Sequence, residues 1–302
     1  MRITNNMLSQ NLLRNLESAL GKMDNLQNQM SSGLRITKPS DDPVGIQNAL
    51  RMKSGISAVE QWKSNADEAL QFMYTTDSVM ESISSMLQRV KELTVEGANG
   101  SLSVEDKNIL ALEVDQISEQ LRITANTQIG SKYIFSGTKT DQELLKADGT
   151  WQGNDQAIKF EVGNNLSLPI SVNGQTLFKT PLTVDPVTGL PFPGIFDTLS
   201  TLSTALKTDD TAGIQDALRN IDGNIDNVLV HLADLGARTN RITTISEQLD
   251  STSLNLQQNL SDLEDANIAK TITDFKNQEN VYKAALSVGA KIIQPSLVDF
   301  IS

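Results

Sequence analysis

The chain begins with apolar residues at helical spacing. They recur every three or four positions between Met7 and Met30, separated mainly by Asn, Gln and Ser. The members of this N-terminal stripe are Leu12, Leu16, Leu20, Met23, Leu26 and Met30. Such spacing predicts an amphipathic helix with one narrow apolar face. Because an isolated helix of this kind is marginal in water, the stripe needs a partner.

A second and stricter pattern runs from Val44 to about Glu96. Apolar residues alternate spacings of three and four throughout, which predicts a long helix in coiled-coil-like packing. The Gly97–Gly100 stretch is expected to end this helix, because glycine is a poor helix former. Ser103 is the predicted N-cap of a third helix, which we expect to end near Gly130.

The middle of the chain, residues 133–194, changes period. Apolar and polar residues alternate over Ile158–Val162 and again over Leu166–Val172, which predicts two strands. The three residues Gly163–Asn165 would join them, and Asn173-Gly174 is a further tight-turn signal. We interpret this region as a small β-rich insert.

Helical spacing resumes at Ile195, and Asp209-Asp210 before Thr211 predicts the start of a further helix. The pattern continues close to the C-terminus, where Pro295 is expected to break the last helix. The last apolar residues of this pattern form a C-terminal stripe made up of Leu256, Leu260, Leu263, Ile272 and Phe275. This stripe also lacks a globular partner in its own neighbourhood.

These patterns together predict a mainly α fold with a small β insert. Long antiparallel helices would form a coiled-coil-like bundle in which the two terminal helices pair. We expect five parts: an N-terminal helical arm and link at residues 1–43, the first part of the bundle at 44–132, the β-rich insert at 133–194, the second part of the bundle at 195–255, and a C-terminal helical arm at 256–302.

The stretch SSGLRITKPSDDPVG concentrates turn residues between the first two predicted helices. Gly33 suits the left-handed position just past a helix end. Pro39 and Pro43 push the residues before them toward extended backbone. Asp42 is then a predicted N-cap with Pro43 at the first helical position, and Asp41 adds negative charge at the positive end of the helix. We interpret the stretch as a joint between helices.

Composition narrows the classes of function. The 302 residues carry a formal net charge of -12, which argues against sequence-independent binding to nucleic acid or to an anionic membrane. The absence of cysteine excludes disulfides, thiolate zinc sites and cysteine nucleophiles. No apolar run is long enough to span a bilayer, and the first residues lack an apolar signal region. We therefore expect neither membrane insertion nor a cleaved secretory signal.

Candidate chemistry is sparse. Acidic residues cluster at Asp41-Asp42, at Asp209-Asp210 and at Asp262–Asp265, but none of these clusters has the spacing of a calcium loop, and helix capping explains them better. The single histidine, His231, has no nucleophile motif beside it, and we expect a solvated or half-buried flank position. The sequence predicts no catalytic residue, no metal ligand and no cofactor, so we do not expect an enzyme.

Five segments resemble the flagellin superfamily: MRITNNMLSQNLLRNL, QMSSGLRITKPSDDPVG, IGSKYIFSGTKT, LSDLEDANIAKTI and the terminal QPSLVDF. The resemblance covers both helical arms, whereas the β insert is not diagnostic. Filament-forming members usually continue the SSGLRI element with an alanine-rich DDAAG, while this chain has Pro39 and DDPVG. They also lack the SGTKT and PSLVDF elements. These departures favour the branch of the superfamily that joins hook to filament.

The resemblance implies a structural adaptor in the bacterial flagellum. It would form a layer between hook-associated protein 1 on the hook side and flagellin on the filament side, with lateral contacts to further copies of itself. Family members are exported unfolded through the flagellar type III apparatus without a cleaved signal, and a cytoplasmic chaperone protects the C-terminal arm. The final location would be extracellular, at the hook–filament junction.

The two terminal stripes are the predicted assembly interface, together with Arg35 in the joint. Pairing of the stripes within one chain is the simpler interpretation. Pairing between chains is the alternative, and it would make the stripes an assembly interface. Two other functions stay open: a filament-forming flagellin, and a soluble coiled-coil interaction module.

Overall fold

The computed structural model describes residues 5–100, 102–147, 149–186 and 189–293. Helices dominate these residues: α1 (Asn5–Ser32), α2 (Pro43–Gly97), α3 (Val104–Ala125), α4 (Ile195–Lys207), α5 (Thr211–Glu264) and α6 (Ile268–Ile293). The strands are short: β1 (Gln128–Ile129), β2 (Lys132–Tyr133), β3 (Lys159–Gly163) and β4 (Leu166–Pro169). A π-helical turn follows at Gln175–Lys179. The predicted mainly α fold with a small β insert is confirmed.

Several helix boundaries follow directly from local residues. Ser103 caps α3 in a reciprocal capping box with Asp106, as its position in the sequence predicts. Helix α2 ends at Gly97, and α4 begins at Ile195. Asp210 accepts a hydrogen bond from the backbone N–H of Ala212 at 3.2 Å, so the predicted helix start at Thr211 is confirmed.

The strands form two separate antiparallel pairs. Strand β1 pairs with β2, and β3 pairs with β4 in the register Phe160 opposite Leu168. The predicted hairpin around Gly163–Asn165 is therefore confirmed, with Asn165 in the left-handed region at φ 56°. Strand β4 ends at Pro169, three residues before the predicted end. Beyond it the Ile158 N–H donates to Ser171 Oγ at 2.9 Å instead of to a backbone carbonyl, which interrupts the ladder.

Two other predictions in this region are wrong. Helix α3 ends at Ala125, not near Gly130, because the side chain of Asn126 exchanges hydrogen bonds with the backbone of Leu145 at 2.7 and 3.2 Å. Asn173-Gly174 does not form a tight turn between strands. The Asn173 side chain accepts a hydrogen bond from the Gln175 N–H at 2.9 Å and so opens the π-helical turn.

The chain folds as two compact units. The central unit is Val59–Ser251, and the terminal unit comprises the described parts of Met1–Ala58 and Thr252–Ser302. Apolar residues of the insert, such as Phe135 and Phe178, belong to the same core as the helices of the central unit. The five-part division expected from the sequence stays a prediction.

The predicted break at Pro295 and the PSLVDF element lie outside the described residues. Among the described residues, no helix is both long enough and apolar enough to cross a membrane.

Candidate assembly surface

Helices α1 and α6 pair along their length in the terminal unit. Near one end, Leu12 packs against Gly289 so closely that a Cβ on the glycine would lie 2.5 Å from Leu12 Cδ2. Further along, Leu26 of α1 and Asp274 of α6 line one shallow groove. Residue numbers rise along α1 as they fall along α6, so the pair is antiparallel, as the sequence predicts.

The pair leaves much of both predicted stripes uncovered. Leu20, Ile272 and Met30 are 47%, 43% and 37% exposed. The other members are only half-buried: Leu12, Leu16, Met23, Leu26, Leu256, Leu260, Leu263 and Phe275. One chain therefore covers its terminal stripes incompletely.

The sequence prediction missed further exposed apolar residues on the same two helices. Outside the stripes, these are Met7, Leu8, Leu13, Ile268, Val281, Leu286 and Val288. Large exposed apolar areas in soluble proteins mark interaction surfaces. We call the exposed apolar residues of α1 and α6, including Leu20, Met30 and Ile272, the terminal surface.

The residues of the joint are arranged around a helix end and a helix start. Gly33 has φ 75° immediately after α1. The Asp42 carboxylate accepts hydrogen bonds from the N–H groups of Val44 and Gly45 at 3.2 and 2.9 Å, which is N-cap geometry at the start of α2. Pro43 is the first residue of that helix.

Asp41, which is expected to add negative charge at the start of α2, also closes a turn. Its carboxylate accepts hydrogen bonds from the backbone N–H groups of Lys38 and Thr37 at 2.9 and 3.1 Å and therefore closes the turn that contains Pro39. These backbone hydrogen bonds lower the pKa of Asp41, because they favour the charged carboxylate.

A buried isoleucine fixes this turn against α2. Ile36 is 1% exposed, and a Cβ on Gly45 would lie 2.6 Å from its Cδ1 atom. A larger residue at position 45 would therefore push against this side chain. The fully buried side chain thus anchors the segment before α2.

The segment between α5 and α6 pairs with the segment between α1 and α2. Leu34 and Asp265 form an isolated antiparallel β-bridge. The N–H of Arg35 donates to the Glu264 carbonyl at 2.6 Å, and the N–H of Ala266 donates to the Gly33 carbonyl at 2.8 Å. Two links that are more than two hundred residues apart in sequence therefore hold each other.

Arg35 and Glu264 reinforce the pairing through their side chains. Arg35 Nη2 donates to the Leu263 carbonyl at 2.7 Å, so the guanidinium has a partner within its own chain. Lys53 Nζ lies 2.7 Å from Glu264 Oε1. No pattern in the sequence predicts the roles of Lys53 and Glu264. The contact of Arg35 with a second subunit stays a prediction.

The C-terminal stripe also has a neighbour in the chain. A Cβ on Gly55 of α2 would lie 3.6 Å from Leu256 Cδ1, so this leucine packs on α2 within the terminal unit. The sequence offers no obvious internal partner for this leucine, and the structure supplies one on α2. The cause is a glycine, which gives no apolar signal in the sequence yet lets the helices approach closely.

The predicted flank position of His231 is also corrected. The side chain is buried, at 7% exposure. Desolvation lowers its pKa, and a hydrogen bond with the backbone at Thr176 acts in the opposite direction. No cluster of three or more acidic or histidine residues in the described parts of the chain could hold a metal ion.

Two family models match the chain. The bacterial flagellin N-terminal helical region matches residues 3–140, and the bacterial flagellin C-terminal helical region matches residues 218–301. Together the two regions span well over half of the sequence. The chain belongs to the bacterial flagellin family. The resemblance seen in the sequence is thereby confirmed.

Members of the flagellin family with different names align over nearly all of this chain. Flagellar hook-associated protein 3 of Escherichia coli is 26% identical, with 94% of this chain and 95% of that protein covered. Flagellin of Bacillus subtilis is also 26% identical, with 97% of each covered. Overall identity to these two relatives therefore does not separate the two kinds of family member.

Solved structures share the flagellin-family fold. A putative flagellar hook-associated protein from Vibrio parahaemolyticus has a TM-score of 0.66 at 22% identity, covering 74% of this chain and 100% of that one. FlgL from Xanthomonas campestris has a TM-score of 0.61 at 17% identity, covering 70% and 99%. These likenesses concern the fold.

Proposed function

We propose that this chain is a structural adaptor at the junction between the flagellar hook and the filament. The observation that carries the proposal is the terminal surface, since an antiparallel pair built from both chain ends leaves large apolar residues in water. Contacts between neighbouring subunits would bury them. Membership of the flagellin family and the similarity to hook-associated protein 3 support this role.

The proposed partners follow from the position in the assembly. Hook-associated protein 1 would lie on the hook side, flagellin on the filament side, and further copies of this chain alongside. Before export, a cytoplasmic chaperone would cover the C-terminal arm, whose apolar residues would otherwise assemble early. Export would proceed through the flagellar type III apparatus without a cleaved signal, and the final site would be outside the cell.

Location tests the proposal most directly. Immuno-gold labelling of intact flagella should place the chain at the boundary between hook and filament. Labelling along the whole filament would refute the adaptor role, and so would recovery of the protein only from the cytoplasm.

Substitutions test the surface that carries the proposal. Leu20→Asp and Ile272→Asp should detach filaments from hooks, because each places a charge at an apolar contact between subunits. Asn15→Asp is the matched control: it puts the same charge at an exposed position of α1 without removing an apolar group. Retained attachment in both apolar variants, with normal circular dichroism, would contradict the proposal.

A filament-forming flagellin is the second candidate. The alignment with Bacillus subtilis flagellin over 97% of both chains favours it. Purified protein that polymerises into long filaments on its own would support this alternative over the adaptor.

A further inference from the structure

The N-terminal link, residues 33–42, depends on residues far away in sequence. Its first residues form backbone hydrogen bonds with the end of α5 and with the C-terminal link, residues 265–267, that follows it. These bonds are Arg35 N–H to the Glu264 carbonyl and Ala266 N–H to the Gly33 carbonyl, at 2.6 and 2.8 Å. Each link therefore satisfies backbone groups that the other would leave in water.

The same contacts cap a helix. The last carbonyl groups of an α-helix have no partner within the helix and form its negative end. In α5 the carbonyls of Leu263 and Glu264 are such groups, and Arg35 supplies the donors for both, from Nη2 at 2.7 Å and from its backbone N–H. The cationic side chain also suits the negative end of the helix dipole.

The buried carboxylate of Glu264 stabilises the pairing of the two links through its ion pair with Lys53. The side chain of Glu264 is 6% exposed, and its carboxylate is 2.7 Å from Lys53 Nζ, whose own side chain is 48% exposed. Burying a carboxylate is unfavourable unless it is paired. Lys53 of α2 therefore decides whether the end of α5 can stay buried in this position.

We propose that the N-terminal and C-terminal links hold each other in place, and that the ion pair between Lys53 and Glu264 locks the two links together. Helix α1 ends where the N-terminal link begins, and α6 begins where the C-terminal link ends. The lock therefore sets where the two helices of the terminal surface join the rest of the terminal unit. Lys53 and Glu264 are positioning residues for that surface, a consequence that rests on the proposed function.

Hydrogen exchange of the full-length protein tests the lock in the free chain. Lys53→Met leaves the buried carboxylate without a partner, so the amides of Arg35 and Ala266 should exchange on the order of tenfold faster than in the wild type. Lys63→Met is the matched control. It removes the lysine of another ion pair, with Asp250, that lies in the central unit, and it should leave both amides unchanged.

A double variant separates an electrostatic lock from a general loss of packing. Adding Glu264→Gln to Lys53→Met removes the unpaired buried charge, so exchange should slow again relative to Lys53→Met alone. Unchanged exchange in Lys53→Met, or a double variant that exchanges as fast as Lys53→Met or faster, overturns the proposal.

Filament attachment then tests the link to assembly. Cells with Lys53→Met should shed filaments more often than cells with Lys63→Met. Faster amide exchange combined with normal filament attachment would overturn the proposed effect on assembly, while the lock between the two links would stand. Normal attachment in Leu20→Asp and Ile272→Asp would instead refute the proposed function, so the two failures are distinguishable.

Discussion

The two units use similar apolar periodicity to different ends. In the central unit, Met80, Leu87 and Phe178 are each at most 1% exposed. In the terminal unit, Ile36 is the only large apolar side chain that is buried among residues 7–58 and 252–290. A heptad-like stripe therefore does not say how deeply its residues are buried. The depth of burial depends on how many other segments pack against the stripe.

The means of stabilisation differ accordingly. The central unit gathers aromatic rings, with Phe178 edge-on to Phe135 at 5.4 Å and stacked on Phe196 at 5.9 Å. The terminal unit relies on the polar joint, where Lys53 meets Glu264. A unit with a thick core folds on its own contacts, whereas a thin one leaves apolar surface for partners.

Replacing a stripe leucine by alanine should destabilise the central unit far more than the terminal unit. Leu87→Ala should lower the free energy of unfolding by about 2–5 kcal/mol, because it leaves a cavity in a closed core. Leu16→Ala in the half-buried N-terminal stripe should cost less than about 1 kcal/mol, since water already reaches the site. Urea unfolding measures both. Equal losses would erase the distinction between the units.

A pair of glycines sharpens the comparison. A Cβ on Gly194 would lie 2.5 Å from the Phe178 carbonyl oxygen, and a Cβ on Gly289 would lie 2.5 Å from Leu12 Cδ2. Gly194→Ala should cost about 1–3 kcal/mol, because backbone must move in a packed unit. Gly289→Ala should change stability by less than about 0.5 kcal/mol, because the half-exposed Leu12 can turn aside and alanine favours the helix.

Thermal or urea unfolding of the two glycine variants measures these changes in stability. A larger loss for Gly289→Ala than for Gly194→Ala would show that the terminal unit is the more tightly packed of the two.

The buried histidine makes the central unit sensitive to acid. Desolvation depresses the folded-state pKa of His231 below its ordinary value of 6.5, so the fold favours the neutral ring. The unfolded chain then binds more protons in the window just below 6.5, and this contribution to stability is lost as pH falls through that window. Between pH 7.5 and 5.5, the wild type should therefore lose more stability than His231→Gln.

Carboxylates titrate in both proteins, so the difference between them isolates the histidine. An equal acid loss in the two proteins would mean that burial of His231 does not couple to folding. Urea midpoints at the two pH values suffice for the comparison.

The smallest effect is expected in the terminal unit. Hydrogen bonds from Lys283 and Lys276 lower the pKa of Glu279 on α6 to about 2. The contribution of this carboxylate is present above its ordinary value of 4.5 and is lost as pH falls toward 2. Because the ion pairs lie at the surface, salt should weaken them and global stability should hardly change.

Titration of Glu279 by nuclear magnetic resonance measures this pKa. In Lys283→Met it should move back toward its ordinary value. A pKa that stays the same in the variant would mean that the lysine is not the cause.

Features that depend on near neighbours could be predicted from the sequence. The stripe of Leu12 and Leu16 predicted a helix, Ser103 predicted a cap, and Gly163–Asn165 predicted a hairpin. Helix α1 ends at Ser32 and α2 begins at Pro43, where the glycine and the prolines of the joint require it. Each of these features is governed by residues within about four positions, so the local sequence is enough to predict it.

Contacts between residues distant in sequence could not be predicted and are known from the folded structure alone. The bond from Arg35 to Leu263 spans 228 positions, and that from Lys53 to Glu264 spans 211. His231 is likewise buried, and its hydrogen-bond partner in the backbone, Thr176, belongs to a π-helical turn far from it in sequence. Such contacts leave no periodic trace, because a charge or a histidine on a helix looks the same whether water or another segment covers it.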